Sequence, residues 1–462
     1  MIKACSLLIP LLLASCTMGP DYERPVFWED KEIESSLEIT ADSTPIHKNW
    51  FHVFKNEELN RLVDEALKHN LNVKTAISRL RQARYSLNIG KVQYLPMIDA
   101  DGDYNYKYAT EYGEYGNKNS FYNVGFDVSW ELDIWGEGRR QTENLTAIYQ
   151  STAADLDNVL LTVTTEVASN YFAIAVGLEE LRIARNNLAV QENILELVRD
   201  KYKSGLVGEE DINQARFAVE NTKAMIPDLE QQIKVYENVV AILLGRLPSN
   251  EIYADKMKNA VKQKFDYDIK KLRQFPISVV RERPDVRAAE KLLTAKNAKI
   301  GEAIAAMFPN ISLSGALGRQ AHKFDELNYA KYAVYGYAPM INMPFLHWGE
   351  LWNKVKMNEA AKDEALYTYQ NVMLEAVNEI KNAMSSVENE YRKNTALKNA
   401  AADMRKVLNA LKAKYKEGLI EFGDLLNAEQ NLLTAEANLV KSNGQIYKNI
   451  ISFYKAVGGG YY

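Results

Sequence analysis

Two kinds of hydrophobic spacing alternate along this chain. From Ile98 the apolar and aromatic positions fall on every second residue, at Ala100, Gly102, Tyr104, Tyr106 and Tyr108, with Asp99, Asp101, Asp103, Asn105 and Lys107 between them. A second run sets Tyr122, Val124, Phe126, Val128, Trp130 and Leu132 against Asn123, Gly125, Asp127, Ser129, Glu131 and Asp133. Period two predicts strands over about 97–108 and 121–133, each with one apolar and one polar face. The spacing then lengthens. Leu160, Val167, Ile174, Leu181, Leu188, Leu195 and Tyr202 recur at every seventh position of a proline-free stretch, which predicts one helix over about 137–203 with a coiled-coil seam. At 1.5 Å per residue it is roughly 100 Å long, more than one globular domain needs. A return helix over about 211–245 carries two stripes, Ile212, Val219, Ile226, Ile233 and Val240 beside Ala215, Thr222, Leu229, Tyr236 and Leu243. Two seams call for neighbours on both sides, as in a ring of helices. Pro227 predicts a local kink in it.

The whole pattern returns. A shift of 213 positions carries Pro96 onto Pro309, Gly136 onto Gly349, Gly205 onto Gly418 and Gly245 onto Gly458. An insertion in any loop would have broken this register, so the chain is two copies of one large unit. The first repeat spans about 51–258 and the second about 284–462, with a linker at 259–283 and an irregular belt over 246–283. The second repeat predicts strands at about 310–318 and 333–345, a long helix at about 350–416 and a return helix at about 424–457. Pro339 and Pro344 make its last strand irregular. Helices of about 72–95 and 285–308 precede the first strand of each repeat. In both hairpins a glycine, Gly205 or Gly418, suits a helix C-cap, and an aspartate, Asp211 or Asp424, suits the start of the helix that follows.

The N-terminus changes the picture. Lys3, a short apolar run and Leu13-Ala14-Ser15-Cys16 read as a secretory signal, residues 1–15, ending in a lipobox. The run is too short to span a bilayer. Cleavage makes Cys16 the first residue, carrying a covalent lipid, at the head of an extended segment over 16–50. Cys5 leaves with the signal, so no disulfide forms. The charge of −5 with 25% charged residues is not that of a nucleic-acid binder.

Alternation alone fits a soluble half-buried sheet as well as a transmembrane one. The Tyr- and Trp-rich apolar side and the strand lengths suit lipid. Four strands cannot close, and an open edge in lipid leaves backbone groups unpaired, so copies must pool their strands. Two copies make eight strands with a filled interior; three make twelve with room for a pore. The carboxylates Asp99, Asp101, Asp103, Asp127 and Glu131 indicate a wet lumen, which favours three. The fold class expected is mixed α and β: a trimeric 12-stranded β-barrel, four strands per chain, continued by an α-helical barrel.

Enzyme chemistry finds little footing. His47, His52, His69, His322 and His347 show no ligand spacing, and no cofactor site or metal site is expected. Asp99-Ala100-Asp101-Gly102-Asp103 fails as an EF-hand at Tyr104, where glycine is needed, and at Thr110, where glutamate is needed. The twelve methionines are scattered, as core fillers are.

Several motifs are more specific. Glu282-Arg283-Pro284-Asp285-Val286-Arg287-Ala288-Ala289-Glu290 leads to Phe308-Pro309-Asn310-Ile311-Ser312-Leu313-Ser314-Gly315. With Cys16-Thr17-Met18-Gly19-Pro20-Asp21-Tyr22, Trp130-Glu131-Leu132-Asp133-Ile134-Trp135-Gly136 and Ile226-Pro227-Asp228-Leu229, this resembles the outer-membrane efflux lipoproteins of the TolC superfamily, over nearly the whole mature chain. The resemblance implies a homotrimer in the outer membrane of a Gram-negative bacterium, in contact with outer-membrane lipid. Its helical tunnel would reach through the periplasm to a periplasmic adaptor (membrane fusion) protein and an inner-membrane RND-type transporter. It implies adaptor contacts at the hairpin tips, Gly205, Leu206, Gly418 and Leu419. It places an acidic ring of the tunnel mouth at Asp424, with Asp211, Tyr415 and Asn427 as further gate positions. Asn427 departs from the second acidic ring of relatives, and Ile420 stands where some carry a gating arginine. Three copies of Asp424 near one axis would attract a divalent cation. The function expected is passive export of drugs or other small toxic compounds. Alternatives are a duct for type I protein secretion or metal-ion efflux, and, from another class, a lipid-anchored periplasmic coiled-coil scaffold without a pore.

Overall fold

A computed structural model describes residues 17–39, 49–111, 114–248, 257, 260–261 and 265–459; the lipobox and Cys16 lie outside them. Along the chain come α1 (Asp30–Leu37), a 3₁₀ turn (Trp50–Phe54), α2 (Glu57–His69), α3 (Leu71–Val92), β1 (Met97–Glu111), β2 (Glu114–Leu132), α4 (Glu137–Lys203) and α5 (Glu209–Leu243). After a second 3₁₀ turn (Ile269–Arg273) follow α6 (Ser278–Glu282), α7 (Pro284–Ala305), β3 (Asn310–Ala321), β4 (Ala333–Asn342), α8 (Glu350–Lys416) and α9 (Phe422–Ala456).

The repeat holds to the residue in the helices. Helices α3 and α7 have 22 residues each, α4 and α8 have 67, and α5 and α9 have 35. Glycines that the shift pairs share the left-handed backbone: φ is +81° and +83° at Gly136 and Gly349, +69° and +75° at Gly205 and Gly418, +70° and +78° at Gly245 and Gly458. A side chain is disfavoured at such φ, so each half turns where glycine permits.

The strands depart from the sequence expectation. β1 runs on to Glu111 and β2 starts at Glu114, so the first hairpin is longer than its 97–108 and 121–133 pattern. β3 extends past 318 to Ala321, and β4 stops at Asn342 rather than 345, short of Pro344, which has no N–H to give to a ladder. The return helices begin at Glu209 and Phe422, so Asp211 and Asp424 sit at the third helical position rather than the first. Pro227 lies inside α5 without breaking its assignment. The belt expected to be irregular contains the 3₁₀ turn at 269–273 and α6.

The chain divides into two compact units. The first, Met1–Pro25, Arg79–Ala153 and Ala288–Gln370, holds the sheet, a meander in the order β1-β2-β3-β4 with antiparallel neighbours. Beside it, buried Arg140 gathers the segment after Cys16: its guanidinium donates to the carbonyls of Met18 and Gly19 and pairs with Asp21 at 2.9 Å.

The second unit, Val26–Ser78, Ala154–Arg287 and Asn371–Tyr462, is helical. Its aromatic centre stacks Phe172 on Tyr447 at 4.1 Å and Trp50 on Tyr454 at 5.5 Å, with Phe54 against Phe172 and Phe265. Arg283, 7% exposed in its side chain, chelates Asp285, pairs with Glu379 at 2.7 Å and donates to the Ala456 carbonyl at 2.6 Å. It pins the start of α7 to α8 and to the end of α9. Pro284 takes the first helical position, where its missing N–H costs nothing. Asn394 of α8 is buried and donates to Ser442 Oγ at 3.1 Å and Asn443 Oδ1 at 2.8 Å.

Candidate functional site

The strand register sorts the sheet's side chains. Directly opposed residues share a face. Asp99 opposes Asp127, Asp101 opposes Gly125 and Asp103 opposes Asn123; the same face continues through Ser312, Ser314, Ala316, Gly318 and Gln320 of β3. Glu131, opposite Ser312, also belongs to it. All five carboxylates singled out in the sequence therefore lie on one face. Asp103 accepts from the Asn123 amide at 3.2 and 3.3 Å and from Asn105; Glu131 accepts from Asn310. The opposite face carries Ile98, Ala100, Tyr104, Tyr122, Phe126, Val128 and Trp130, then Leu313, Leu317, Tyr335, Tyr337 and Ile341. Tyr104 and Tyr122 are in ring contact at 4.6 Å, and Phe126, Leu317, Tyr335 and Tyr337 are exposed. Among the described residues Phe324 packs on Tyr122 at 5.7 Å, and much of the rest of this apolar face is exposed.

The second cluster lies where the hairpins turn. Leu195 and Val198 of α4, Ala215 and Val219 of α5, Leu408 and Tyr415 of α8, and Phe422, Leu425 and Ala428 of α9 form one apolar core. Both turns close with the same pair of backbone bonds. Leu206 N–H donates to Lys201 O and Gly205 N–H to Tyr202 O, each at 2.9 Å; Leu419 donates to Lys414 O at 3.0 Å and Gly418 to Tyr415 O at 3.1 Å. These are Schellman caps. The residue after each glycine usually packs back on its helix, but Leu206 is 72% exposed and Leu419 67%.

Tyr415 is core, 3% exposed, against Phe422 at 5.8 Å, and its hydroxyl has no hydrogen-bond partner. Lys201 Nζ sits 3.9 Å from the Tyr415 ring centroid and donates to its carbonyl at 3.0 Å. Burial raises the Tyr415 phenol, and the nearby Asp211 carboxyl adds to it. Asp211 is itself raised by burial and by Glu210 and Glu421; a hydrogen bond from the Gly208 backbone and the charge of Lys201 oppose the rise. The Gly208 bond makes Asp211 an N3 residue reaching back to the helix start. Asp424 holds the matching place in α9 and is exposed, as is Asn427. Thus Asp211, Tyr415 and Lys201 come together within the chain, while Asp424 and Asn427 stand free of this group. Lys201, which meets Tyr415, is not among the gate positions that the sequence motifs point to. Its signal was the repetition of Lys201-Tyr202 as Lys414-Tyr415. Among the described residues no group of His, Cys, Asp and Glu is placed to hold a metal ion.

The family model described as outer membrane efflux protein matches residues 62–246 and 278–459, one segment in each repeat. Nodulation protein T of Rhizobium leguminosarum bv. trifolii is 27% identical over 429 residues, covering 91% of this chain and 90% of that protein. The cation efflux system protein CusC of Escherichia coli O6:H1 is 24% identical over 466 residues, 99% of each. Among solved structures, the outer-membrane channel OprN superposes with a TM-score of 0.87 at 27% identity, covering 96% of this chain and 99% of that one.

Proposed function

The chain belongs to the outer membrane efflux protein family, and from that membership we infer a homotrimeric duct that carries small toxic compounds across the outer membrane. What supports the reading is the sheet: one face carries the carboxylates of β1 and β2, the other is apolar and largely exposed, and among the described residues both edge strands are unpaired within the chain. Three copies close the edges into twelve strands, apolar outward to lipid and acidic inward to water. Asp99, Asp101, Asp103, Asp127 and Glu131 then line the lumen. The acyl chain on Cys16 ties the N-terminus to the same membrane.

The hairpin turns are a second working surface. Leu206 and Leu419 offer apolar knobs, with Gly205 and Gly418, to a periplasmic adaptor, which joins the duct to an inner-membrane transporter that selects the cargo. Asp424, exposed at the start of α9, forms the ring at the tunnel mouth, with Asn427 one turn further on. Asp211 and Tyr415 hold the hairpins together behind it. No step of bond making or breaking is asked of any residue.

Export of metal ions is the second reading, favoured by the full-length match to a cation efflux protein. Deleting the gene in its own host and following both a fluorescent dye and copper or silver ions separates the two. Dye retention in the deletion strain that the plasmid-borne gene reverses supports the duct for organic compounds; sensitivity to the ions alone supports the second. A deletion that alters neither contradicts an export role.

A further inference from the structure

The strand register puts a charged side chain on the apolar face of the sheet. Along β3 that face reads Ile311, Leu313, Gly315 and Leu317 and then Arg319, which stands opposite Val124 of β2 and Ala333 of β4. β1 is entered from α3, and β2 and β4 leave toward α4 and α8, all at the Ile311 end of the sheet; Arg319 lies toward the other end. From Ile311 to Arg319 the strand runs about 27 Å, which is roughly 20 Å across a bilayer at a 45° tilt. The guanidinium therefore sits close to the edge of an apolar band about 25 Å tall. One step further out, Tyr104 and Tyr122 are in ring contact, as aromatic side chains are at a membrane interface.

The connection between β3 and β4 folds back over this end of the same face. Its 3₁₀ turns, Phe324–Asn328 and Ala330–Tyr332, set the Phe324 ring 5.7 Å from Tyr122 and bury Leu327. The Leu327 carbonyl accepts from Arg319 Nη1 at 2.8 Å, which leaves the Nε and Nη2 edge of the exposed guanidinium for another acceptor. Lys331 Nζ lies 4.9 Å from the Tyr332 ring centroid and 5.8 Å from that of Tyr329, so two rings hold the ammonium by cation–π attraction. Asp325 and Glu326 belong to the same connection, yet among the described residues neither forms an ion pair with Arg319 or Lys331. Two cations thus stand without a carboxylate among tyrosine rings, at one level of the face that meets lipid.

A cation facing hydrocarbon is costly, and it is tolerated at the bilayer edge, where headgroups solvate it. With the helices on the periplasmic side, this end of the sheet meets the outer leaflet. We propose that Arg319 and Lys331 form a binding site for a phosphorylated glycolipid of that leaflet. The free edge of the guanidinium matches a phosphate with two parallel N–H donors, and the ammonium adds a point charge. The acyl chains of the same lipid lie along Leu317 and Tyr335, which oppose each other on β3 and β4 and are exposed. The inference rests on the reading of the sheet as a lipid-facing barrel and adds the class of lipid that the barrel selects.

Native mass spectrometry of the full-length oligomer, stripped of lipid in detergent and then given lipid A carrying two phosphates, tests it. Wild type is expected to retain this lipid, and lipid A freed of its phosphates to bind at least about tenfold more weakly, as the loss of one charge-assisted hydrogen bond requires. Arg319→Gln with Lys331→Gln removes both charges and keeps an N–H for the Leu327 carbonyl. It brings the phosphorylated lipid down to the same weak level and leaves binding of phosphatidylethanolamine unchanged. EDTA leaves wild-type binding in place, because the contact is cation to phosphate with no metal ion between. Should the double variant fail to assemble, Lys331→Gln alone is expected to bind at an intermediate level. Equal binding of phosphorylated lipid A by wild type and an assembled variant overturns the site, as does wild-type binding that EDTA abolishes. A wild-type protein that is monomeric by native mass overturns the barrel reading instead.

Discussion

Asp99 stands directly opposite Asp127 across β1 and β2, two carboxylates on one face with no cation between them in the register. Like charges so placed destabilise a sheet unless water and counterions screen them. The pair therefore marks its face as the solvated one. Asp127→Asn is expected to leave the oligomer's thermal stability unchanged or slightly higher and to lower cation preference in reversal-potential recordings. A large loss of stability with no change in selectivity would contradict the assignment.

Phe126 and Asp103 test the two faces against each other. Phe126→Arg places a charge in lipid, at a cost of about 2–4 kcal/mol near the bilayer midplane and less toward its edge. Asp103→Asn keeps an acceptor for Asn123 and folds normally. Heat-dissociation of the oligomer on gels reads both, and the parity fails if the order is reversed.

Gly205 and Gly418 set the hairpin turns. No atom lies within 4 Å of a Cβ built at either, so the cost of Gly418→Ala is backbone strain alone, about 1–2 kcal/mol. Hydrogen exchange should quicken at the last turn of α8 and the first of α9, and much less elsewhere.

Asp211 and Asp424 separate a structural role from a polar one. The folded-state pKa of Asp211 is raised, so its ionisation opposes folding: the stability it favours is present below its unfolded value and is lost as pH rises through the folded one. Asp211→Asn, which retains the acceptor for Gly208, is expected to be neutral or stabilising at pH 7, with the difference from wild type vanishing in acid. Asp424→Ala is expected to weaken block by divalent cations with little change in melting. Melting curves against pH, with single-channel block beside them, show whether the two roles have been exchanged.

Cys16→Ser is expected to abolish the proposed acylation without preventing oligomer formation, because in the proposed barrel the sheet itself would hold the membrane. Intact-mass measurement of the mature wild-type protein checks the premise: an unacylated first residue would remove it.

Helices and repeat were legible in the sequence because period and length agree and because glycines punctuate both copies at one shift. The long helices start and stop where proline-free heptads meet Gly136, Gly205, Gly349 and Gly418. Strand ends were less legible, since Tyr, Asn, Lys and Gly in the first hairpin tip carry little alternation; backbone pairing, which the pattern does not encode, continues β1 to Glu111. Asp211, Tyr415 and Lys201 are separated by at least nine residues and meet only through packing of two hairpins. The role of Arg283 was visible as a motif but not as a clamp, because its partners Glu379 and Ala456 belong to distant helices.

In its proposed function this chain makes a water-filled path through the outer membrane. Planar-bilayer recording of the purified, folded oligomer tests it most directly. Discrete conductance steps with cation preference are expected, reduced by Asp99→Asn together with Asp127→Asn. A preparation that remains oligomeric and inserts into the bilayer, yet passes no current beyond that of lipid alone, would contradict it and favour a lipid-anchored scaffold.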